Sequence, residues 1–359
     1  MSEHQFIPNP YSKTIESGKI TWESPSNIAL IKYWGKKKDQ IPENPSISFT
    51  LTDCKTITTL YFSKKENNID FSFDVFLNTE RKDDFKPKIE TFFKRIELYL
   101  PFLREYHFKI ETTNTFPHSS GIASSASGMS ALALCLMSLE KQLIDSPNEN
   151  YFKNKASFLA RLGSGSACRS VEGDLVVWGK HQNIEGSDDL FGIKYPYKVH
   201  ENFKNYQDTI LLVDKGEKQV SSTVGHNLMH NHPFAEERFK QAHQNLSKLM
   251  AILEHGDLDG FTDLIESEAL TLHAMMMTSM PYFILMKPNT LEIINKIWAF
   301  RKKTGLHIGF TLDAGANVHV LYPENEKVEI LNFITNNLLT YTEKGHYIVD
   351  KIGLGAKQL

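Results

Sequence analysis

Three residues stand where apolar sequence breaks into polar chemistry. Lys32 follows Ile28-Ala29-Leu30-Ile31 directly. A lysine there either snorkels to solvent or meets an anion, because burying an unpaired ammonium is costly. Arg169 lies in Gly163-Ser164-Gly165-Ser166-Ala167-Cys168-Arg169-Ser170. A guanidinium among hydroxyls can clamp a carboxylate or phosphate with two hydrogen bonds; on a surface it forms an ordinary ion pair. Asp313 ends the mostly apolar residues 307–312 and opens Asp313-Ala314-Gly315-Ala316-Asn317. It can cap a turn with its own side chain, or beside a phosphate it can act as general base.

A fourth feature is residues 117–128, Pro-His-Ser-Ser-Gly-Ile-Ala-Ser-Ser-Ala-Ser-Gly, followed by the helix formers Met129-Ser130-Ala131-Leu132-Ala133-Leu134-Cys135-Leu136-Met137. A small-residue loop feeding a helix presents unpaired N–H groups and the positive dipole end, a site for phosphate. It can equally be a Ser/Gly turn capping a buried helix. It is not the lysine-containing P-loop, since no Lys follows its glycines. Lys36-Lys37-Lys38 makes a solvated turn or draws in a polyanion. Val220-Ser221-Ser222-Thr223 caps the next helix or touches a ligand. His226, His230 and His232 have metal-like spacing but no acidic residue among them, so no metal site is assigned to them.

The elements that must position these groups follow from periodicity. Residues 28–34 read as a buried strand ending at an aromatic pair. Residues 46–51 alternate as a half-exposed strand, with 56–62 as its neighbour. Residues 88–100 carry a helical stripe at Ile89, Phe92, Phe93, Ile96 and Leu100. Residues 71–77, 108–112, 174–178, 209–213, 318–322 and 347–350 read as strands, and 152–162, 234–253, 258–273, 290–302 and 328–338 as helices. Met275, Met276, Met277 and Met280 read as core filler. The polar, irregular residues 179–205 mark a boundary between a first domain, 1–195, and a second, 206–359.

Composition narrows the class. With 359 residues, 41% hydrophobic, the chain is long enough for two domains with ordinary cores. A net charge of −3 gives no global attraction to nucleic acid or membrane, so anions must be met by local cations. Three scattered cysteines, Cys54, Cys135 and Cys168, suit a reducing compartment. No apolar run reaches membrane-spanning length, and residues 1–11 lack a signal-peptide core. A cytoplasmic protein is expected.

Taken together, Asn27-Ile28-Ala29-Leu30-Ile31-Lys32-Tyr33-Trp34-Gly35-Lys36, the two Ser/Gly segments, Val220-Ser221-Ser222-Thr223 and Asp313-Ala314-Gly315 resemble the diphosphomevalonate decarboxylase family of the GHMP kinase superfamily. The resemblance runs from about residue 26 to 322. It implies an α+β, GHMP-kinase-like two-domain fold, the first domain like ribosomal S5 domain 2 and the second a ferredoxin-like α/β sandwich. It implies ATP with Mg²⁺, and conversion of (R)-5-diphosphomevalonate to isopentenyl diphosphate, ADP, phosphate and CO₂. Its nearest rivals are a decarboxylase of the monophosphate, a mevalonate-type kinase that does not decarboxylate, and a non-catalytic ligand sensor. Carried onto this sequence, the resemblance makes Asp313, Lys32 and Arg169 catalytic. It puts substrate at Asn27, Tyr33, Trp34, Gly35, Lys36, Lys88, Ser164, Gly165, Ser166, Ala167, Cys168, Ser222 and Thr223. It puts ATP at Ser119, Ser120, Gly121, Ala123, Ser124, Ser125 and Ser127. The family is the sole ground for a homodimer. Three departures stand out: Ala316 where the family has proline, Pro-His-Ser-Ser-Gly where it has Pro-Thr-Ala-Ala-Gly, and Lys88 where it has arginine.

Overall fold

The first strand, β1 (Ser17–Ile31), starts exposed and becomes buried along its second half, where its sequence turns apolar. It pairs antiparallel with β2 (Ser46–Lys64), 19 residues long. The computed structural model describes residues 2–66, 70–117, 122–145, 148–214 and 222–359, without the side chains of Ser222 and Thr223.

Residues 46–51 and 56–62, read as neighbouring strands, are two halves of β2. Between the pairs Pro25–Lys55 and Asn27–Thr50, one residue of β1 faces four of β2, a broad bulge. A bulge leaves backbone N–H groups without ladder partners. Here the Asp350 carboxylate takes them, from Thr52 (2.9 Å), Asp53 (3.0 Å) and Cys54 (2.7 Å). The bulge lets β2 serve two neighbours. Its far half pairs with β5 (Tyr106–Asn114), and its near half with β6 (Leu175–Trp178). The near half is buried on both faces, not half-exposed as its alternation suggested, and Ser46, Ser48 and Thr50 are all fully buried. Also in this sheet are β3 (Ser72–Leu77), β4 (Glu80–Arg81) and β7 (Gly192–Lys194).

The helices α1 (Lys86–Ile96), α2 (Ser124–Leu143) and α3 (Glu149–Gly163) share one apolar core with this sheet. Helix α1 starts and ends earlier than its apolar stripe suggested, with Pro87 in its first turn. Helix α2 begins at Ser124, so the last part of the serine-rich stretch is helix, not loop. Its Glu140 is buried and takes a 2.6 Å ion pair from Lys155 of α3.

The second sheet runs β11 (Tyr347–Lys351), β8 (Gln207–Leu211), β10 (Val318–Tyr322), β9 (Gly309–Thr311), all antiparallel. With it go α4 (Ser222–Asn227), α5 (Ala235–His255), α6 (Leu258–Met277), α7 (Pro288–Thr304) and α8 (Lys327–Phe333). After Phe333 the turns widen to a π-helix over Ile334–Leu338, where one continuous helix was expected. One cluster joins Ile28, Leu30, Ile47 and Phe49 of the first sheet to Ile210, Leu246 and Phe261 of the second unit. A shared core of this kind fixes the two halves against each other. The chain then recrosses: Lys357–Gln358 forms β12 beside β1, on the first sheet. Of the methionines read as core filler, Met275 and Met276 are buried, whereas Met277 and Met280 are exposed, Met280 at 84%. Among the described residues no helix is long and apolar enough to cross a membrane.

Candidate active site

The second half of β1 is the spine of the site. Ser26 Oγ donates to the Ile122 carbonyl just before α2 (2.7 Å). Asn27 Nδ2 donates to Ser170 Oγ (2.8 Å) and the Ser166 carbonyl (3.2 Å). Five residues on, Lys32 Nζ donates to Asp313 Oδ1 (3.1 Å) across 281 residues of sequence. One strand therefore touches three of the segments singled out above.

Lys32 is buried while Asp313 is 35% exposed, so the carboxylate is the open end of the pair. Burial pulls the Lys32 ammonium below the usual lysine range, and the Asp313 and Glu268 carboxylates pull against it. The Lys32 backbone is held as tightly as its side chain. Its N–H donates to Glu268 Oε2 (2.8 Å), and its carbonyl accepts from Asn44 (3.0 Å) and Arg238 (3.2 Å). Arg238 and Glu268 form a fully buried two-bond pair (2.6 and 2.9 Å), with Asn245 also donating to Glu268 (2.6 Å).

Arg169 is buried on a short 3-10 helix, Gly165–Ser170. Its hydrogen bonds go to Ser46 Oγ (2.5 Å) and Asn27 Oδ1 (3.4 Å), and its guanidinium lies 5.7 Å from the Trp178 ring centroid. Among the described residues these partners are all neutral. A buried cation with no anion of its own is a strong attractor for one. Burial also lowers its affinity for its proton, with Cys168, Asp313 and Tyr33 acting against that.

The neighbouring segment is mixed. Ser164 and Ser166 are half-buried, but Ala167 and Cys168 are fully buried. Burial pushes the Cys168 thiol up to about 12, so it stays neutral, and only the backbone of these two residues could meet a ligand. Tyr33 packs at a tilt on Trp178 (4.6 Å between centroids) with a buried hydroxyl that has no partner among the described residues. A Cβ on Gly165 would come within 2.9 Å of that hydroxyl, so glycine makes the approach possible. Trp34 packs its ring into an apolar cluster with Met229, Leu272 and Met276, and its buried Nε1–H has no partner among the described residues. Gly35 adopts φ +90°, and its N–H donates to His226 Nδ1 (3.0 Å). Half-buried Lys36 donates to Gln40 Oε1 (2.9 Å) and has no carboxylate partner among the described residues. Burial and then Arg95 lower its pKa.

Beside the first turn of α2 lies a cavity of about 200 Å³, lined by Ser124, Ser125, Gly128, Lys88, Thr58 and Asn114 among others. No side chain caps this helix, whose N-cap Ala123 is left-handed. Lys88, expected beside the substrate, donates to Ser125 Oγ (2.9 Å) and belongs to this cavity. Ser127 is fully buried and bonds Thr56 Oγ1 (2.6 Å), facing the core. Ser119, Ser120 and Gly121, with His118 and Ser221, lie outside the described residues, and the backbone of Ser222 and Thr223 opens α4. The three histidines are apart in role. His226 faces Tyr33, His232 Nε2 bonds the Met275 carbonyl (3.0 Å), and His230 is exposed. Ala316, in place of proline, has its carbonyl tied by Thr290 Oγ1 (2.7 Å), which holds the turn behind Asp313.

Sequence reasoning missed Glu268, Arg238, Asn245, Asn44 and Ser46. The available signal was position: Arg238 and Asn245 fall on the same face of α5 as buried Ala242, Leu246 and Leu249.

An uncapped helix N-terminus beside a cavity, with two buried cations and a half-exposed carboxylate paired to one of them, fits a two-domain phosphoryl-transfer scaffold. Residues 24–190 match the diphosphomevalonate decarboxylase-like N-terminal domain, and residues 209–354 the mevalonate 5-diphosphate decarboxylase C-terminal domain. The diphosphomevalonate decarboxylase of Gibberella zeae is 30% identical over 320 residues, covering 84% of this chain and 80% of that protein. The crystal structure of mevalonate diphosphate decarboxylase from Staphylococcus aureus superposes with a TM-score of 0.80 at 28% identity, covering 96% of this chain and 98% of that one. A structure described as MDDEF in complex with MVAPP, AMPPCP and magnesium has a TM-score of 0.80 at 27% identity, over 95% and 98%. The chain belongs to the diphosphomevalonate decarboxylase family, with its GHMP-type fold.

Proposed function

We propose that this chain decarboxylates (R)-5-diphosphomevalonate with ATP, releasing isopentenyl diphosphate, ADP, phosphate and CO₂. The observation that carries the reading is the Lys32–Asp313 pair set near Arg169, which is buried among neutral partners. The second half of β1 links the three, since Asn27 accepts from Arg169 and Lys32 follows five residues later.

In this reading Asp313 takes the proton of the 3-hydroxyl as its oxygen bonds the γ-phosphorus and ADP departs. Lys32 offsets charge at Asp313 and at the transferring phosphoryl group. The 3-phosphate then leaves with the C–O electron pair. The bond to the carboxylate breaks, its electrons form the new double bond, and CO₂ departs. Arg169 holds that carboxylate in line, and positioning of this kind can lower a barrier by about 7–11 kcal/mol at most. Tyr33, Lys36, Ser164 and Ser166 receive the diphosphate.

The cavity beside α2 suits the nucleotide, which supplies the phosphoryl group. Ser124 and Ser125 line it at the start of a helix that no side chain caps, with Lys88 as a point charge. Mg²⁺ needs hard oxygen donors and few protein ligands, and the hydroxyls of Ser124 and Ser125 with the ATP phosphates meet that need.

The test uses purified protein, ATP, Mg²⁺ and carboxyl-labelled 5-diphosphomevalonate, with ADP and CO₂ followed together. Equal yields support the reading; ADP without CO₂, or turnover of the 5-monophosphate alone, sinks it. Asp313→Asn should leave substrate affinity within about threefold and abolish turnover, since it keeps the shape but not the base. Near-normal turnover removes Asp313 as the base.

A further inference from the structure

His226 has no part in the chemistry above, yet it lies inside the site. Its ring packs on Tyr33 (4.2 Å between centroids) and Trp34 (4.8 Å). Its Nδ1 accepts the Gly35 N–H in a buried 3.0 Å bond. A backbone N–H can only donate, so Nδ1 carries no proton and the neutral ring must carry it on Nε2. The ring is neutral in the free protein: burial first, then Lys36 and Arg169, pull its pKa down to about 3. Nε2–H makes no hydrogen bond among the described residues, and it is not one of the fully enclosed polar atoms: 7% of the residue is exposed. The Tyr33 hydroxyl against which the ring stacks is likewise buried and without a partner. Leaving a buried donor unsatisfied costs about 1–3 kcal/mol. The buried Tyr33 hydroxyl, the Nε2–H of the ring packed on it and Lys36, which meets no carboxylate among the described residues, form a set of donors suited to an incoming oxyanion.

We infer that His226 is a substrate-contacting, specificity-determining residue, an oriented Nε2–H donor to the phosphoryl oxygens of the 5-diphosphate. This rests on the substrate assigned above. Its bond to Gly35, the neighbour of Lys36, and its packing on Tyr33 set His226 beside two of the residues assigned to the diphosphate. Gly35 sets the tautomer and aims the donor, a division of work between the two ring nitrogens. A terminal phosphate is thereby read by a neutral donor as well as by charge, which favours a diphosphate over a shorter monophosphate.

The test separates the two nitrogens. In His226→Asn the amide can still accept from Gly35 but cannot reach the Nε2 position. In His226→Gln the terminal amide reaches it and restores a donor. The expected result for His226→Asn is a KM for 5-diphosphomevalonate raised at least about tenfold, a loss of about 1.4 kcal/mol, with kcat and the KM for ATP within about threefold. His226→Gln should recover KM to within about threefold. An unchanged KM in His226→Asn overturns the inference. So do equal losses in both variants in kcat and in both KM values, because that is the mark of packing alone. If His226→Asn does not fold, His226→Met removes the donor while filling the space against Tyr33, and the same outcomes apply. If the wild-type protein releases no CO₂ from 5-diphosphomevalonate, the proposed reaction fails, and calorimetry with inorganic pyrophosphate then judges His226 by itself: binding unchanged in His226→Asn refutes it.

Discussion

Replacing Glu268 tests whether the buried Arg238–Glu268 pair exists to hold Lys32. The pair is fully buried, and Glu268 also accepts from Asn245 and from the Lys32 N–H. Glu268→Leu strands the Arg238 guanidinium without its counter-charge. Breaking a buried pair from one side costs about 3–5 kcal/mol. At about 2–4 °C per kcal/mol for chains of this order of size, unfolding should shift down by about 10–15 °C. Adding Arg238→Met removes the stranded charge as well. An apolar pair of similar volume is often neutral or better, so the double variant should return to within about 5 °C of wild type. Turnover should not return. The Lys32 backbone would keep Asn44 as its carbonyl partner but lose both Glu268 and Arg238. A displacement of about 1 Å at a reacting group can cost about 100-fold, so kcat should fall at least tenfold with the KM for ATP little changed. Calorimetric unfolding and CO₂ release on the same preparations decide it. A double variant with wild-type stability and wild-type turnover shows that the pair only stabilises the fold. A Glu268→Leu protein within 2 °C of wild type, on the roughly 2–4 °C per kcal/mol scale, refutes the electrostatic reasoning outright.

Two further outcomes are expected. Arg169→Lys keeps a cation but loses the planar fork between Asn27 and Ser46, so kcat should fall about 100-fold or more while the unfolding temperature stays within a few degrees; stopped-time assays at saturating ATP show it, and a loss below about fivefold would exclude a two-bond carboxylate clamp. Acid should weaken the fold before the carboxylates titrate. His226 and His273 are held down to about 3 and about 4, each by burial first, against about 6.5 when unfolded. Below pH 6.5 the unfolded chain therefore binds protons that the native chain does not, and stability falls as pH falls through that window. At up to about 1.4 kcal/mol per pH unit for each, the two together remove about 4 kcal/mol by pH 5. Urea unfolding of wild type and His226→Gln between pH 7 and 5 checks the sign and the share, and equal slopes for the two proteins would show that His226 is not buried neutral.

Much of the site was legible because its chemistry conflicts with its surroundings. Lys32 after four apolar residues, Arg169 among hydroxyls and Asp313 at the end of an apolar run each break a local rule; the two cations are buried, and Asp313 pairs with Lys32. Residues that obey local rules were not legible. Arg238 and Glu268 sit on helices whose patterns read as ordinary amphipathic surfaces, and their charges are hidden only because each meets the other. The bulge in β2 was invisible for the same reason. What satisfies it is Asp350, nearly 300 residues away on the other sheet. The serine-rich stretch misled in the opposite sense. Ser125 and Ser127 look equivalent in sequence, but two residues of helix rotate about 200°, which turns the fully buried Ser127 to Thr56 and leaves Ser125 at the cavity with Lys88. Helical phase, which depends on where α2 starts, decides which hydroxyls can meet a phosphate. That start is set by tertiary contact, since Ser26 of β1 grips the Ile122 carbonyl two residues before the helix begins. The strand that carries Lys32 thus also fixes the register of the phosphate-facing helix, so a shift in β1 would move both halves of the site together.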